Sequence, residues 1–186
     1  MSWFEVETKI KLRKNEVNNL RNQIKRIANF RKKEIKSDFY FAIKKKNYPI
    51  KAFRIRKTNN TYLVNFKKWF KKLWTHGVVV KEEFEFSIND KNSFLALMGD
   101  LGFVKWMSKL KISEIYYHKK DPRINIELNK VKYLGYFIEI ECLVRNKTDI
   151  EKVKARILKT LKELNVNKKQ IDNTGYTKML WQKRFR

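Results

Sequence analysis

Three observations predict an α+β fold, an eight-stranded antiparallel β-barrel with flanking helices. Eight segments have strand character, and most are joined to their sequence neighbours by short polar connections. Several of them alternate apolar and charged residues at the period of two that puts each kind on its own face. Helical spacing is confined to one segment near the start, one in the middle and the end of the chain. A sheet of that strand number closed on itself has an interior that holds one small ligand. An open sheet with helices on one face has the same elements. The charged strand faces separate the two, because a filled core would not accept them.

Residues 3–11 open the chain as a strand, with Glu5, Glu7, Lys9 and Lys11 on one face and Phe4, Val6, Thr8 and Ile10 on the other. Side chains two apart on a strand lie about 6.8 Å apart. Residues 15–30 place Val17, Leu20, Ile24, Ile27 and Phe30 at helical spacing, with Arg21, Lys25 and Arg26 opposite. Strands are then expected at 39–44, 50–57, 61–67, 78–87, 109–117, 124–129 and 136–144, with Thr58-Asn59-Asn60 as a hairpin turn. A short helix over 92–101 stops at Gly102, and a longer one spans 149–164 with Asp149 as its cap. The stretch 168–186, with Ile171, Tyr176, Met179, Leu180 and Trp181, closes the fold as a last helix. One domain, 1–186, has its strands within about 1–145 and its terminal helices within about 149–182.

Composition narrows the partners. Lys and Arg total 45 against 19 acids, a formal net charge of +26, which favours polyanions: nucleotides, RNA, polyphosphate or an anionic surface. With 42% hydrophobic residues, five Gly and two Pro, the chain folds rather than remaining disordered. One cysteine, Cys142, forbids an internal disulfide. No apolar run approaches the ~20 residues of a membrane span, and the N-terminus lacks a signal-peptide core, so a cytoplasmic protein without membrane contact is expected.

The charged faces form a constellation. Turned inward, they supply eight bases, Lys9, Lys11, Arg54, Arg56, Lys67, Lys81, Lys109 and Lys111, and six acids, Glu5, Glu7, Glu83, Glu85, Glu139 and Glu141. Buried charges cost several kcal/mol each unless paired, so such a lining implies a charged guest. A triphosphate with a divalent metal fits. Carboxylates are the hard oxygen ligands that Mg²⁺ or Mn²⁺ prefers, and Arg and Lys meet phosphate oxygens. For any single strand, a solvated face with ordinary salt bridges is the better explanation of the charges; five strands with matched acids and bases favour the tunnel.

These same residues carry a family resemblance. Glu5-Val6-Glu7-Thr8-Lys9 resembles the E-x-E-x-K signature of the CYTH superfamily, the triphosphate tunnel metalloenzymes. Asp38-Phe39-Tyr40-Phe41 is similar to its D-x-Y-F strand, Phe53-Arg54-Ile55-Arg56 to L-R-I-R, and Lys81-Glu82-Glu83-Phe84-Glu85 to R-x-E-x-E with Lys for Arg. Lys67 falls at a lysine position, and 134–141 resembles L-G-x-F-x-E-I-E. The order, with Leu101-Gly102-Phe103, is most similar to the class IV adenylyl cyclase branch.

The resemblance implies catalytic, metal-side carboxylates at Glu5, Glu7, Glu139 and Glu141, with Glu83 and Glu85 as further metal ligands or organisers of the bases. It implies phosphate binding by Lys9, Arg54, Arg56, Lys67, Lys81 and Lys111, and Mg²⁺ or Mn²⁺ as cofactor. The implied reaction is ATP to cyclic AMP and pyrophosphate. Alternatives are hydrolysis of tripolyphosphate, thiamine triphosphate or a nucleoside triphosphate, and a non-catalytic module that binds polyphosphate or RNA. Monomer and homodimer are both compatible.

Two positions depart from the pattern. Ser113 stands where the family strand usually has Arg, and Asn129 where it usually has Asp. The acid that usually follows the final Tyr is replaced in Tyr176-Thr177-Lys178. Outside the tunnel, the basic run 21–36 reads as an RNA or polyphosphate surface or as a solvated helix face. Residues 67–74 interleave bases and aromatics, as nucleobase-stacking surfaces do, although capping of the barrel end explains them at least as well. His76 and His118 read as loop residues, and Tyr116 and Tyr117 as packing residues.

Overall fold

The computed structural model describes residues 2–43, 47–58, 61–75 and 77–184. Eight strands are β1 (Ser2–Leu12), β2 (Ala28–Ile43), β3 (Ala52–Thr58), β4 (Thr61–Trp69), β5 (Val79–Ile88), β6 (Phe103–His118), β7 (Asn125–Val131) and β8 (Gly135–Val144). They close into an antiparallel barrel in the order β1-β5-β4-β3-β2-β6-β7-β8. The helices are α1 (Val17–Ile27), α2 (Lys91–Asp100), α3 (Ile150–Glu163) and α4 (Tyr176–Lys183). None is long and apolar enough to cross a membrane.

The apolar faces of the strands point out of the barrel, and the main core lies between its outer wall and the helices. Val6, Ile10, Val80, Ile126, Ile138 and Ile140 pack with Leu20 and Ile24 of α1 and Val153, Ile157 and Leu161 of α3. Each such side chain, taken from water, contributes about 1.5–3 kcal/mol. A smaller cluster, Phe41, Phe53, Ile55 and Val64, is covered by Phe94, Leu95 and Met98 of α2. Because side chains alternate along a strand, burying these residues outside forces their charged neighbours into the lumen.

The helix expected over 15–30 ends three residues early. It is preceded by a 3-10 turn (Lys14–Glu16), and the chain turns extended at Ala28, so Phe30 lies on β2 and is 56% exposed. β2 is thus much longer than the strand expected from residue 39, because it pairs with β6 over nearly its whole length. β6 likewise begins at Phe103 rather than at 109. The hairpin turn at Asn59 and Asn60 lies outside the described residues, although Thr58 and Thr61 pair beside it. Asp149 has helical backbone and makes no capping bond. The helix with a side-chain cap is α2, where Asp90 accepts from the Asn92 and Ser93 amides at 2.9 and 3.1 Å.

The C-terminal stretch docks onto the part of β1 that β5 does not reach. Ile171 bridges Ile10, the Asp172 amide donates to the Lys9 carbonyl at 2.9 Å, and the Lys9 amide donates to Asn173 Oδ1 at 2.9 Å. Gly77 makes room for this segment. It has φ of +84°, and a Cβ there would lie 2.7 Å from Ile171 Cδ1.

Candidate active site

The lumen is a cavity of about 390 Å³. Glu5, Glu7 and Lys9 project into it from β1, Arg54 and Arg56 from β3, Lys67 from β4, Lys81, Glu83 and Glu85 from β5, Lys111 from β6, and Glu139 and Glu141 from β8. All twelve residues expected at the site therefore share one cavity. Lys11, also expected in the lining, is exposed instead, one step past the point where the docked C-terminal segment closes the wall. Lys109 does line the lumen, with Lys36, Tyr40, Asn65, Glu127 and Tyr176 in addition.

The charges sort into three groups. On one wall, Lys67 pairs with Glu5 at 2.6 Å and with Glu83, while Lys81 pairs with Glu7 and lies 3.6 Å from Glu5. On another, Lys111 bonds Glu127 at 2.6 Å and Glu139 at 3.0 Å, and Lys36 reaches Glu127 at 2.7 Å. On β2, Asp38 holds Arg56 through two bonds of 2.6 and 3.0 Å and Lys109 at 3.0 Å. Arg54 approaches Asp38 at 3.9 Å and Glu85 at 3.5 Å.

Two groups stand outside this pairing. The first is Glu141. Its Oε1 accepts from Asn125 Nδ2 at 2.8 Å, but no base lies within ion-pair distance of it among the described residues. Glu5, Glu7 and Glu141 each offer a carboxylate oxygen within 4.8 Å of the others. Burial pushes the Glu141 carboxyl well above its ordinary range, and the negative field of Glu127, Glu5, Glu139 and Glu7 adds to it. Burial and then Glu5 also raise Glu7. At Glu5 the same burial is outweighed by Lys67 and Lys81, which hold it well below. Three hard oxygens converging with too little positive charge around them fit a divalent cation such as Mg²⁺ or Mn²⁺, whose octahedral ligands span roughly 4 Å.

The second group is Lys9. Its ammonium donates to the Thr174 carbonyl and lies 4.2 Å from the centre of the Tyr176 ring. No carboxylate lies within ion-pair distance of it among the described residues, and burial lowers its basicity. Tyr176 lines the lumen edge-on to Phe137, with its hydroxyl buried.

The two departures from the family pattern are direct partners across β6 and β7, Ser113 opposite Asn129, and both are fully buried. The resemblance expects a base at one position and an acid at the other, and replacing both by neutral residues keeps the local charge balance. Asn129 Nδ2 donates to Glu139 Oε2 at 2.8 Å and supports its ionised form, which an acid at that position would oppose.

Other expectations divide. Trp69 lines the lumen, as Lys67 does, with Lys81 4.9 Å above its ring, whereas Phe70, Leu73 and Trp74 pack onto the outer core, so residues 67–74 divide between the two. His118 is no loop residue. It is buried on β6, accepts from the Lys120 amide at 3.2 Å and contacts Glu163 at 2.8 Å. His76 lies outside the described residues. Tyr116 is buried in the core, as a packing residue should be, while Tyr117 is 39% exposed. Asp38 and Lys36 were missed as parts of the site, although Lys36, Asp38 and Tyr40 follow the period of two.

An antiparallel barrel with its core outside and a lumen of paired and unpaired charges fits the class of proteins that enclose a charged ligand. The CYTH domain model matches residues 4–176, and the chain belongs to that family. A Methanocaldococcus jannaschii protein whose name proposes an adenylate cyclase is 30% identical over 181 residues, covering 95% of this chain and 98% of that one. A solved Pyrococcus horikoshii protein superposes with a TM-score of 0.74 at 27% identity, covering 96% of this chain and 99% of its own. A Hippeastrum protein described by a dominant triphosphatase activity shares the fold, with a TM-score of 0.62 at 18% identity over 93% of this chain and 91% of its own.

Proposed function

We propose that this protein is a metal-dependent enzyme acting on a triphosphate held in the barrel, with cyclisation of ATP to cyclic AMP and pyrophosphate as its reaction. The observation that carries the reading is the juxtaposition of the Glu5, Glu7 and Glu141 carboxylates with a lumen lined by Lys and Arg. Glu5, Glu7 and Glu141 are the residues that would hold Mg²⁺ or Mn²⁺, with Glu139, Glu83 and Glu85 contributing further ligands or keeping the bases in place. A bound divalent ion supplies neutralisation of phosphate charge and acidification of an attacking hydroxyl.

The chain's own residues do the rest. Lys9, Arg54, Arg56, Lys67, Lys81 and Lys111 take the phosphate oxygens, and the charge of the triphosphate replaces carboxylates as their partner. Lys9 is the most available, because no acid has to be displaced from it. Fixing the chain in an enclosed lumen converts the attack on phosphorus into a positioned, unimolecular step.

Hydrolysis of a triphosphate is the second reading. It is favoured by the lining itself, whose charged groups address phosphate and metal and ask of the rest of the substrate only that water reach the phosphorus. Incubation with Mg²⁺ or Mn²⁺ and either ATP or tripolyphosphate separates the two. Cyclic AMP with pyrophosphate is the expected product from ATP, and orthophosphate from either compound selects hydrolysis. Tight ligand binding without product with either metal refutes both and leaves a binding module.

A further inference from the structure

Asp38 lies on the lumen side of β2, between Lys36 and Tyr40, but is fully buried there, covered by three lumen-lining bases that converge on its carboxylate. Arg56 presents Nε and Nη2 to Asp38 Oδ1 and Oδ2 at 2.6 and 3.0 Å, and Lys109 reaches Oδ2 at 3.0 Å. Arg54 Nε lies 3.9 Å from Oδ1, buried and without a hydrogen-bond partner among the described residues. The register explains the convergence. Asp38 on β2 stands opposite Arg56 on β3 and opposite Lys109 on β6, so one side chain meets bases from both neighbouring strands.

A guanidinium carries five N–H donors in a rigid fork. Binding one edge of Arg56 fixes the plane of the group and leaves its remaining donors to be met from elsewhere. Unsupported, three long basic side chains side by side would repel one another and sample many rotamers, and a ligand would bear the entropy of ordering them.

We propose that Asp38 is a positioning residue, which sets Arg54, Arg56 and Lys109 in the geometry that receives the phosphate chain. The inference rests on the triphosphate reading and adds a carboxylate that touches no substrate. It also fixes the sign of an experiment. Asp38 is a negative charge close to where a polyanion would lie, so by Coulomb attraction alone its removal tightens binding. By preorganisation its removal weakens binding.

The experiment is calorimetric titration of inorganic tripolyphosphate, without divalent metal, into the native chain, Asp38→Asn, Arg56→Lys and the double variant. Asp38→Asn is expected to bind about tenfold more weakly, the scale on which supporting residues act through the groups they orient. Arg56→Lys keeps the charge but loses the fork and is expected to fall by a similar factor. The double variant should be no weaker than the weaker single one, because the two act as a unit. Turnover should show the loss in KM more than in kcat.

Equal or tighter binding by Asp38→Asn overturns the proposal, as do losses that simply multiply in the double variant. Should Asp38→Asn not fold, Arg56→Lys decides alone: undiminished affinity overturns the proposal. A native chain that does not bind tripolyphosphate overturns the triphosphate reading and this inference with it, an outcome distinct from native binding that Asp38→Asn leaves intact.

Discussion

Glu141 is the residue at which the electrostatics of the lumen are least balanced. Its carboxyl is raised from the ordinary 4.5 by burial and then by the carboxylates around it. A carboxyl raised by folding binds its proton more tightly in the folded chain, so its contribution to the stability of the metal-free protein declines as pH rises above the ordinary value. A divalent ion removes that penalty by replacing the proton. Mn²⁺ is therefore expected to raise the melting temperature more at pH 8 than at pH 5.5, and thermal denaturation with and without the ion reads the difference. In Glu141→Gln the metal-free melting temperature at pH 8 should rise and the Mn²⁺ response should shrink at both pH values. A response independent of pH would contradict this assignment.

At the scale of elements, the C-terminal segment is as much part of the site as the strands. Asn173 receives the Lys9 amide at 2.9 Å and donates through Nδ2 to the Gly77 carbonyl at 2.9 Å, and Thr174 supplies the carbonyl that holds the Lys9 ammonium. Gly77→Ala adds a methyl group at 2.7 Å from Ile171 in a left-handed conformation. About 1–3 kcal/mol of destabilisation is expected, as a lowered denaturation midpoint. An unchanged midpoint would show that the segment yields without cost.

The sequence carried less information here than in the barrel. The alternation of Phe4, Val6 and Ile10 with Glu5, Glu7 and Lys9 is dictated by the strand period and was legible at once. The first half of β2 was not. Its bases, among them Arg31, Lys32 and Lys33, stay exposed, so no buried apolar face marks the strand, and only long-range pairing with β6 makes it one. The contact between Asp172, Asn173 and Lys9 joins positions more than 160 apart, a distance over which local pattern is silent.

The whole molecule is a barrel whose buried apolar residues face outward onto helices and whose buried ionisable residues mostly face inward. That arrangement is costly without a guest, because paired buried charges recover their desolvation only with good geometry. The pairing is nearly complete along β2, β5 and β6 and is missing at Glu141, whose carboxylate converges with those of Glu5 and Glu7, an arrangement that fits a cation. Net charge of +26 on the chain as a whole would also draw a polyanion toward the lumen, an attraction that salt weakens.

The most direct test of a lumen built for metal and phosphate is titration of Mn²⁺, followed by electron paramagnetic resonance at pH 7.5, into the native protein and Glu141→Gln. The account predicts saturable binding by the native chain, strengthened by tripolyphosphate, and a loss of about 10–100-fold in affinity on substitution. Equal Mn²⁺ affinity in the two proteins, or no binding by the native chain even with tripolyphosphate present, would contradict it.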